Sequence, residues 1–396
     1  HRRSVARSLG QVGGDASREL LRGVETDDPE LRRLVSQALV KLDRGRARTE
    51  RSEIDATARA RGAIPLLLWC RAGLESICAD ELGRPWNARV RGEGRVEATL
   101  TGSLGHVFRA RTMSQFGVML PVERVTKGED VTEAVARAVT SGFARDVWTT
   151  FTRGARRYRI EWTHGGHRRA DTWRCVEAIA KRDASLTNDP KETLWELVVG
   201  ERGDASVAVV MVPRGLDDPR FSYRKRTVPA SSQPTLAAAL ARVAGVRGDD
   251  VVFDPFVGAG MELCERHLAG QYRAMIGRDR DPEALAMARE NLDAVGAKDV
   301  DLREGDARDA WPAGVTLVIT NPPFGSRTGF GEDIVGLLKA VLIRASRALP
   351  RRGRLVWVSP FPERLGDIAR DCGLHKTLSR PVDLGGFGGA VERFER

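Results

Sequence analysis

Cysteine is scarce in this 396-residue sequence: Cys70, Cys78, Cys175, Cys264 and Cys372 are all there is. None stands in a C-x-x-C pair and no histidine lies at zinc-ligand spacing from any of them, which excludes a recognisable zinc site. An odd, scattered set reads as reduced core residues, so a cytoplasmic location is expected and no metal. Long apolar runs are absent as well. The longest candidate, Ile64 to Trp69, is far too short to span a bilayer, so no membrane is expected among the partners. No charged n-region, apolar h-region and cleavage site open the chain, so there is no sign of secretion. His1 in place of Met raises the expectation of a fragment. Negative charge is in deficit, with 54 acidic against 64 basic residues and a net charge of +10. Arginine abundance alone says little, because a GC-rich genome also produces it. The excess of positive charge says more and favours a polyanionic partner.

What is present is enough chain for two or more domains, with 41% apolar residues to fill their cores. Residues 1–45 read as helical. Val5, Leu9 and Val12 align with Val35, Leu39 and Leu42 at a period of about 30, as in short helical repeats. Asp15 is placed as a cap for a helix through Leu20 and Leu21, and Asp27-Asp28-Pro29-Glu30 starts the next. The segment resembles a HEAT-type repeat, with an ordinary amphipathic helical pair as an equal reading, and it offers a face for a protein partner. One or two such repeats cannot bury a continuous core, which would place more of them upstream. Residues 43–61 carry Arg44, Arg46, Arg48, Arg51 and Arg59 and read as a charged helix surface or as a charged linker, bounded at 46–61.

From about 62 to 213 the pattern turns α+β. Ile64 to Cys70 is a strand and Ala72-Gly73-Leu74-Glu75 opens a helix. A helix is expected around Leu104, Val107 and Phe108 and another over Val131 to Val139. Arg157 to Trp162 alternates with period two and predicts a strand with Tyr158, Ile160 and Trp162 inward. Strands at Leu194–Val199 and Ser206–Val212 close this part. Residues 214–235 read as a linker. Beyond it strands and helices alternate, the mark of a doubly wound parallel sheet.

Val251-Val252-Phe253 runs into Asp254-Pro255-Phe256-Val257-Gly258-Ala259-Gly260 and a helix. A glycine turn there lets a ligand approach the backbone. The third glycine of a G-x-G-x-x-G fingerprint is missing, since Leu263 occupies it, which argues against a nicotinamide cofactor. Asp279, at the end of the second strand and about 20 residues on, suits ribose hydroxyls. Asp281-Pro282 starts a helix, with Asp281 as its cap. Asp306, after the third strand, could accept from an adenine amine or simply hold its own loop. The fourth strand ends in Thr320-Asn321-Pro322-Pro323-Phe324-Gly325. Prolines cannot continue a sheet, so they form a rigid turn at the edge where ligands bind. The Asn321 side-chain oxygen and the Pro322 carbonyl can grip both hydrogens of an exocyclic NH₂, and Phe324 offers a face for a base to stack on.

On these residues, 250–396 resembles a class I methyltransferase of the N-P-P-[FY] group. Phe221-Ser222-Tyr223-Arg224-Lys225-Arg226 and Pro229-Ala230-Ser231-Ser232-Gln233-Pro234-Thr235 resemble the segment joining a THUMP domain to such a catalytic domain. Ala72-Gly73-Leu74-Glu75 and Asn188-Asp189-Pro190-Lys191 are similar to marks of the THUMP half and its ferredoxin-like partner. The resemblance implies a doubly wound Rossmann-like α/β methyltransferase domain over 236–396. It is preceded by α+β ferredoxin-like (62–125) and THUMP (126–213) domains, a linker (214–235) and the all-α HEAT-like segment. It implies S-adenosylmethionine as cofactor, with its methionine end held by Asp254, Phe256, Gly258 and Gly260. Asp279 would take the ribose and Asp306 the adenine, with Thr235 nearby. Asn321, Pro322 and Phe324 would hold the target base. The family usually has Cys-Gly-Ser-Gly-Thr where Val257-Gly258-Ala259-Gly260-Met261 stands, so a hydroxyl is lost at Met261.

Arg156, Arg157, Arg159, Arg168 and Arg169, with Arg153, His164, His167, Phe151 and Trp162, interleave basic and aromatic groups as nucleic-acid backbones require. A merely solvated face fits the composition equally well. The resemblance favours RNA, with Arg224, Lys225 and Arg226 added. The expected activity is methylation of guanine N2 in tRNA. Ribosomal RNA and adenine N6 stand as rivals, and an RNA-binding scaffold with a degenerate catalytic domain as the non-enzyme reading.

Overall fold

The computed structural model describes residues 1–49, 51–164, 168–227, 231–324, 333–386 and 388–396. His167, Pro229, Ala230 and Gly325, named above, lie outside the described residues, as do the side chains of Arg44, Arg46 and Arg48. By their contacts the residues form two units. One comprises 1–67, 98–107 and 116–217, the other 68–97, 108–115 and 218–396. Among the described residues no helix is long and apolar enough to cross a membrane.

In the first unit, helices Arg2–Val12, Asp15–Arg22 and Pro29–Thr49 share a small core of Ala6, Leu21, Leu31, Leu34, Val35 and Ala38. Asp28 Oδ1 accepts from the Glu30 amide at 3.0 Å, so the expected start signal operates. Asp15 is the first residue of its helix rather than its cap, which is Gly14. The third helix runs on to Thr49, and Glu53–Ile54 pairs with Thr152–Arg153. Part of the expected linker 46–61 is therefore ordered structure. No proline interrupts the helix there, and its arginines are compatible with a helix.

Trp195–Arg202 pairs antiparallel with Ser206–Pro213 and parallel with Arg156–Trp162, which in turn pairs parallel with Leu186–Asn188. Trp148 and Trp195 meet edge to face at 5.8 Å, with Tyr158 beside Trp148. The alternation expected along 157–162 is only half realised. Tyr158 is buried, but Ile160 and Trp162 are half-buried and Arg157, expected on a solvated face, is buried too. A strand paired parallel on both sides tends to lie where both faces of the sheet are covered.

The second unit carries a seven-stranded sheet: β1 Val251–Asp254, β2 Ala274–Asp279, β3 Val300–Glu304, β4 Leu317–Thr320, β5 Arg354–Ser359, β6 His375–Asp383 and β7 Gly388–Glu395. Their order is 3-2-1-4-5-7-6. β7 alone runs against its neighbours. The doubly wound sheet expected from the sequence is thus present. β4 and β5 are buried along their whole length, as central parallel strands must be. Their side chains alternate between two cores. Leu317, Ile319, Val356 and Val358 pack with Val252 on one side, and Val318, Leu355 and Trp357 with Phe253 on the other. The order reverses between β1 and β4, which opens a crevice at their carboxyl ends.

The contacts also divide the chain differently from the expected boundaries at 62, 126 and 214. Residues 68–97 and 108–115 belong with the sheet, and Leu74 and Ile77 share a core with Leu236 and Leu240. Residues 218–227, expected as linker, are packed. The buried Arg220 side chain donates to the Ala110 and Met113 carbonyls at 2.5 and 2.8 Å, and Tyr223 is also buried. An arginine with apolar stem and several donors can anchor a segment that looks polar in sequence.

Candidate active site

A cavity of about 540 Å³ lies at the carboxyl end of the sheet, within the second unit. The turn after β1 forms its floor. Gly258 and Gly260 both have positive φ, 50° and 82°, which explains glycine at each. A Cβ on Gly260 would also come within 3.3 Å of Ala288. The Gly258 amide donates to Asp279 Oδ2 at 2.8 Å and the Asp281 amide to Asp279 Oδ1 at 3.1 Å. Asp279 therefore pins the turn to the end of β2 while lining the cavity. Asp281 caps the following helix, accepting from the Glu283 amide at 2.9 Å.

Asp254 is fully buried behind the turn. Its Oδ1 accepts from Thr320 Oγ1 at 2.6 Å and from the Phe256 amide at 3.0 Å, while Oδ2 has no partner among the described residues. Burial, with Glu262 repulsion added, holds its carboxyl well above the usual range. Glu262 itself is 3% exposed and lines the cavity. Burial pushes it up to about 7, against the opposing pull of the Ser232 hydroxyl. Its Oε1 has no partner among the described residues. Asp306 lines the cavity, but its carboxylate is already held by Arg308, at 2.8 Å from Nε and 2.7 Å from Nη2. That bond draws its carboxyl down to about 2.

At the end of β4, Asn321 Nδ2 donates to Ser232 Oγ at 2.6 Å. Its Oδ1 is buried without a partner among the described residues. Pro322, Pro323 and Phe324 continue the wall. Of the residues expected at the site, Phe256, Gly258, Asp279, Asp306, Asn321, Pro322 and Phe324 line the cavity. Asp254, Gly260 and Thr235 lie outside its lining. Ser231, Ser232, Glu262, Arg71 and Arg280 line it without having been singled out. The acid beside Met261 was the visible signal for Glu262. The two serines stand in the Ser231-Ser232-Gln233 stretch, with no role assigned.

The expected RNA-contacting arginines are largely committed elsewhere. Arg159 bonds Glu196 at 2.8 Å, and Arg157 lies 3.9 Å from Glu192. Arg168 pairs with Asp171 at 2.5 Å and stacks over Trp162 at 4.3 Å. Arg156 reaches Ser185 and Thr149, each at 3.3 Å, whereas Arg169 is exposed. Those five belong to the first unit. Arg224, Lys225 and Arg226 belong to the second, where Arg226 bonds Glu290 at 3.1 Å.

Residues 222–387 match the family described as "UPF0020: RMKL-like, methyltransferase domain". The chain is 26% identical over 249 residues to the tRNA (guanine(10)-N2)-dimethyltransferase of Methanothermobacter thermautotrophicus, covering 60% of this chain and 73% of the relative. It is 29% identical over 241 residues to the tRNA (guanine(6)-N2)-methyltransferase of Thermus thermophilus, covering 59% and 70%. Its fold is similar to that of TrmN from Thermus thermophilus, with a TM-score of 0.66, 22% identity and coverage of 84% and 99%. The cavity suits S-adenosylmethionine. The buried carboxyl of Glu262 in the cavity wall suits a cationic methionine end, and the glycine turn leaves room for close approach. The chain is an S-adenosylmethionine-dependent methyltransferase.

Proposed function

We propose that the protein methylates the exocyclic N2 amine of a guanosine in RNA, with tRNA as the substrate. One observation carries this reading most: a buried amide oxygen, Asn321 Oδ1, left unpartnered among the described residues at the wall of the cavity. A buried acceptor without a donor is costly, so a ligand N–H is its natural complement. The two tRNA methyltransferases named above are guanine-N2 enzymes by name.

When bound, S-adenosylmethionine supplies a methyl group on a sulfonium, a strong electrophile. Gly258, Gly260, Phe256 and Asp254 serve its methionine end, with Thr235 close by. Asp279 serves the ribose. Asp306 reaches the adenine only by sharing its carboxylate with Arg308. Asn321 Oδ1 and the Pro322 carbonyl accept the two amine hydrogens and turn the nitrogen lone pair toward the methyl carbon. Phe324 stacks on the base. Held there, the cofactor would supply its methyl group to that nitrogen and leave as the neutral thioether, and the proton lost from nitrogen would pass to water. Much of the rate comes from this positioning.

Residues 126–213 act as a THUMP-type RNA-docking domain, 62–125 as its ferredoxin-like companion, and the helices of 1–45 as a HEAT-like face for a protein partner, in the cytoplasm. The test is methylation of in-vitro-transcribed tRNAs with labelled S-adenosylmethionine, followed by nucleoside mass spectrometry. N2-methylguanosine is the expected product. N6-methyladenosine, or labelling of ribosomal RNA alone, would overturn the assignment. Asn321→Ala is expected to lose turnover at least a hundredfold while cofactor affinity stays within about threefold.

A further inference from the structure

Six charged residues line the cavity: Arg71, Glu262, Asp279, Arg280, Asp281 and Asp306. Four of them stand at or just beyond the ends of β2 and β3 and are occupied there. Asp279 and Asp281 accept from backbone amides, Asp306 is held by Arg308, and Arg280 lies 3.9 Å from Asp306. The other two, one basic and one acidic, form no ion pair among the described residues. Arg71 directly follows the strand Ile64–Cys70 and is half-buried. Its Nη2 donates to Gln233 Oε1 at 2.9 Å and its Nη1 to the Asp383 carbonyl, both neutral acceptors. The Asp383 carboxylate is turned to the Gly385 and Gly386 amides, at 2.9 and 3.1 Å. Arg71 Nε is buried without a partner among the described residues. A desolvated cation without a counter-charge is costly, so an anionic ligand group is its natural complement. By the same argument the buried Glu262 calls for a cation. Leu74 and Ile77, just beyond Arg71, share a core with Leu236 and with Met261, the neighbour of Glu262, so the two groups are held at the same cavity.

The methionine end of S-adenosylmethionine carries one carboxylate and one ammonium. We propose that Arg71 and Glu262 clamp this amino-acid end, the guanidinium taking the cofactor carboxylate and the Glu262 carboxylate its ammonium. Nη1 and Nη2 of Arg71 each keep a second N–H for a charge-assisted bond, while Gln233 and the Asp383 carbonyl fix the plane of the fork. Arg71 stands well before residues 222–387, so the matched family region does not hold the whole cofactor site and the segment ahead of it completes the grip. The clamp rests on the cofactor and not on which RNA is methylated. An RNA phosphate is the competing anion for Arg71, but it would leave Glu262 without a cation.

The experiment is calorimetric titration of the full chain with three ligands. S-adenosylmethionine has both charged groups, its decarboxylated form keeps the ammonium alone, and methylthioadenosine has neither. About pH 8 keeps Glu262, pushed up to about 7 by burial, ionised. Arg71→Gln should weaken S-adenosylmethionine about tenfold or more and leave the other two ligands within about threefold. Glu262→Gln should weaken S-adenosylmethionine and its decarboxylated form alike, by about tenfold, and spare methylthioadenosine. Arg71→Lys, which keeps the charge but not the fork, should fall between the parent and Arg71→Gln. The decisive quantity is the ratio of the two sulfonium affinities, which a general loosening of the pocket does not change. An unchanged ratio in Arg71→Gln overturns the clamp, and so does a lysine no better than glutamine. Parental cofactor affinity in Arg71→Gln, with a slope of log Kd against log salt for tRNA lower by about 0.7–0.9, would give the guanidinium to an RNA phosphate and overturn the clamp as well.

Discussion

Glu262 is a carboxyl with almost all of its surface buried in the cavity wall, and its energetics follow from that. Burial raises it from 4.5 to about 7, so the folded protein takes up a proton that the unfolded chain has already lost. The stability contributed by the protonated form is complete below the unfolded value and is lost as pH rises through the folded one. Unfolding free energy of the ligand-free protein should therefore fall between about pH 4.5 and 7 by about 3 kcal/mol from this residue. Glu262→Gln should flatten that fall, as denaturant melts at several pH values would show. Equal slopes in both proteins would mean that Glu262 is not desolvated. Of the residues lining the cavity, the sequence singled out those that stand at a strand end or in the turn after it: Gly258, Asp279, Asn321, Phe324. Ser232 and Glu262 were not among them, because Ser232 meets Asn321 across 89 residues and Glu262 reaches the cavity from the helix after the glycine turn, where no local pattern marks it.

Elements were legible where a periodic run ended on a strong signal. The helix Val131–Val139 and the cap at Asp281 stand where the pattern places them. The expected helix near Leu104 is a short 3₁₀ turn, Leu104–Arg109. Residues 46–49 continue a helix, as the helix-surface reading allowed, and 53–54 form a strand, while 218–227 are packed; polar composition hid the strand and the packing. Burial of charge is equally hidden. Asp250, just before β1, is 1% exposed and holds two arginines with side chains as buried as its own: Arg266 at 3.0 Å and Arg354 at 2.6 Å. It joins the helix after β1 to β5, so it fastens the sheet beneath the site. Breaking such a group strands two buried cations, which costs about 3–5 kcal/mol. Asp250→Ala should destabilise the protein by that much in urea melts. Asp250→Asn should do nearly as much, because the shape is kept but the charge is not. A loss under about 1 kcal/mol would show that water reaches the cluster.

For the whole molecule, the excess of ten positive charges is a statement about partners rather than fold. The sequence could not tell which arginines were available, because ion pairing is a property of neighbours in space. Arg159 is spent on Glu196, whereas Arg169 is exposed and forms no ion pair among the described residues. An arginine already neutralised releases no counterion when RNA arrives, and a solvated one does. Each phosphate contact contributes about 0.7–0.9 to the slope of log Kd against log salt concentration. Under the proposed RNA docking, Arg169→Ala should lower that slope for tRNA by roughly one such step and weaken binding at low salt. Arg159→Ala should leave the slope unchanged. Equal effects of the two substitutions would mean that the Arg159 pair opens on binding. A slope indifferent to both, in filter-binding titrations over a range of salt, would remove this strand and helix from the RNA-contacting surface.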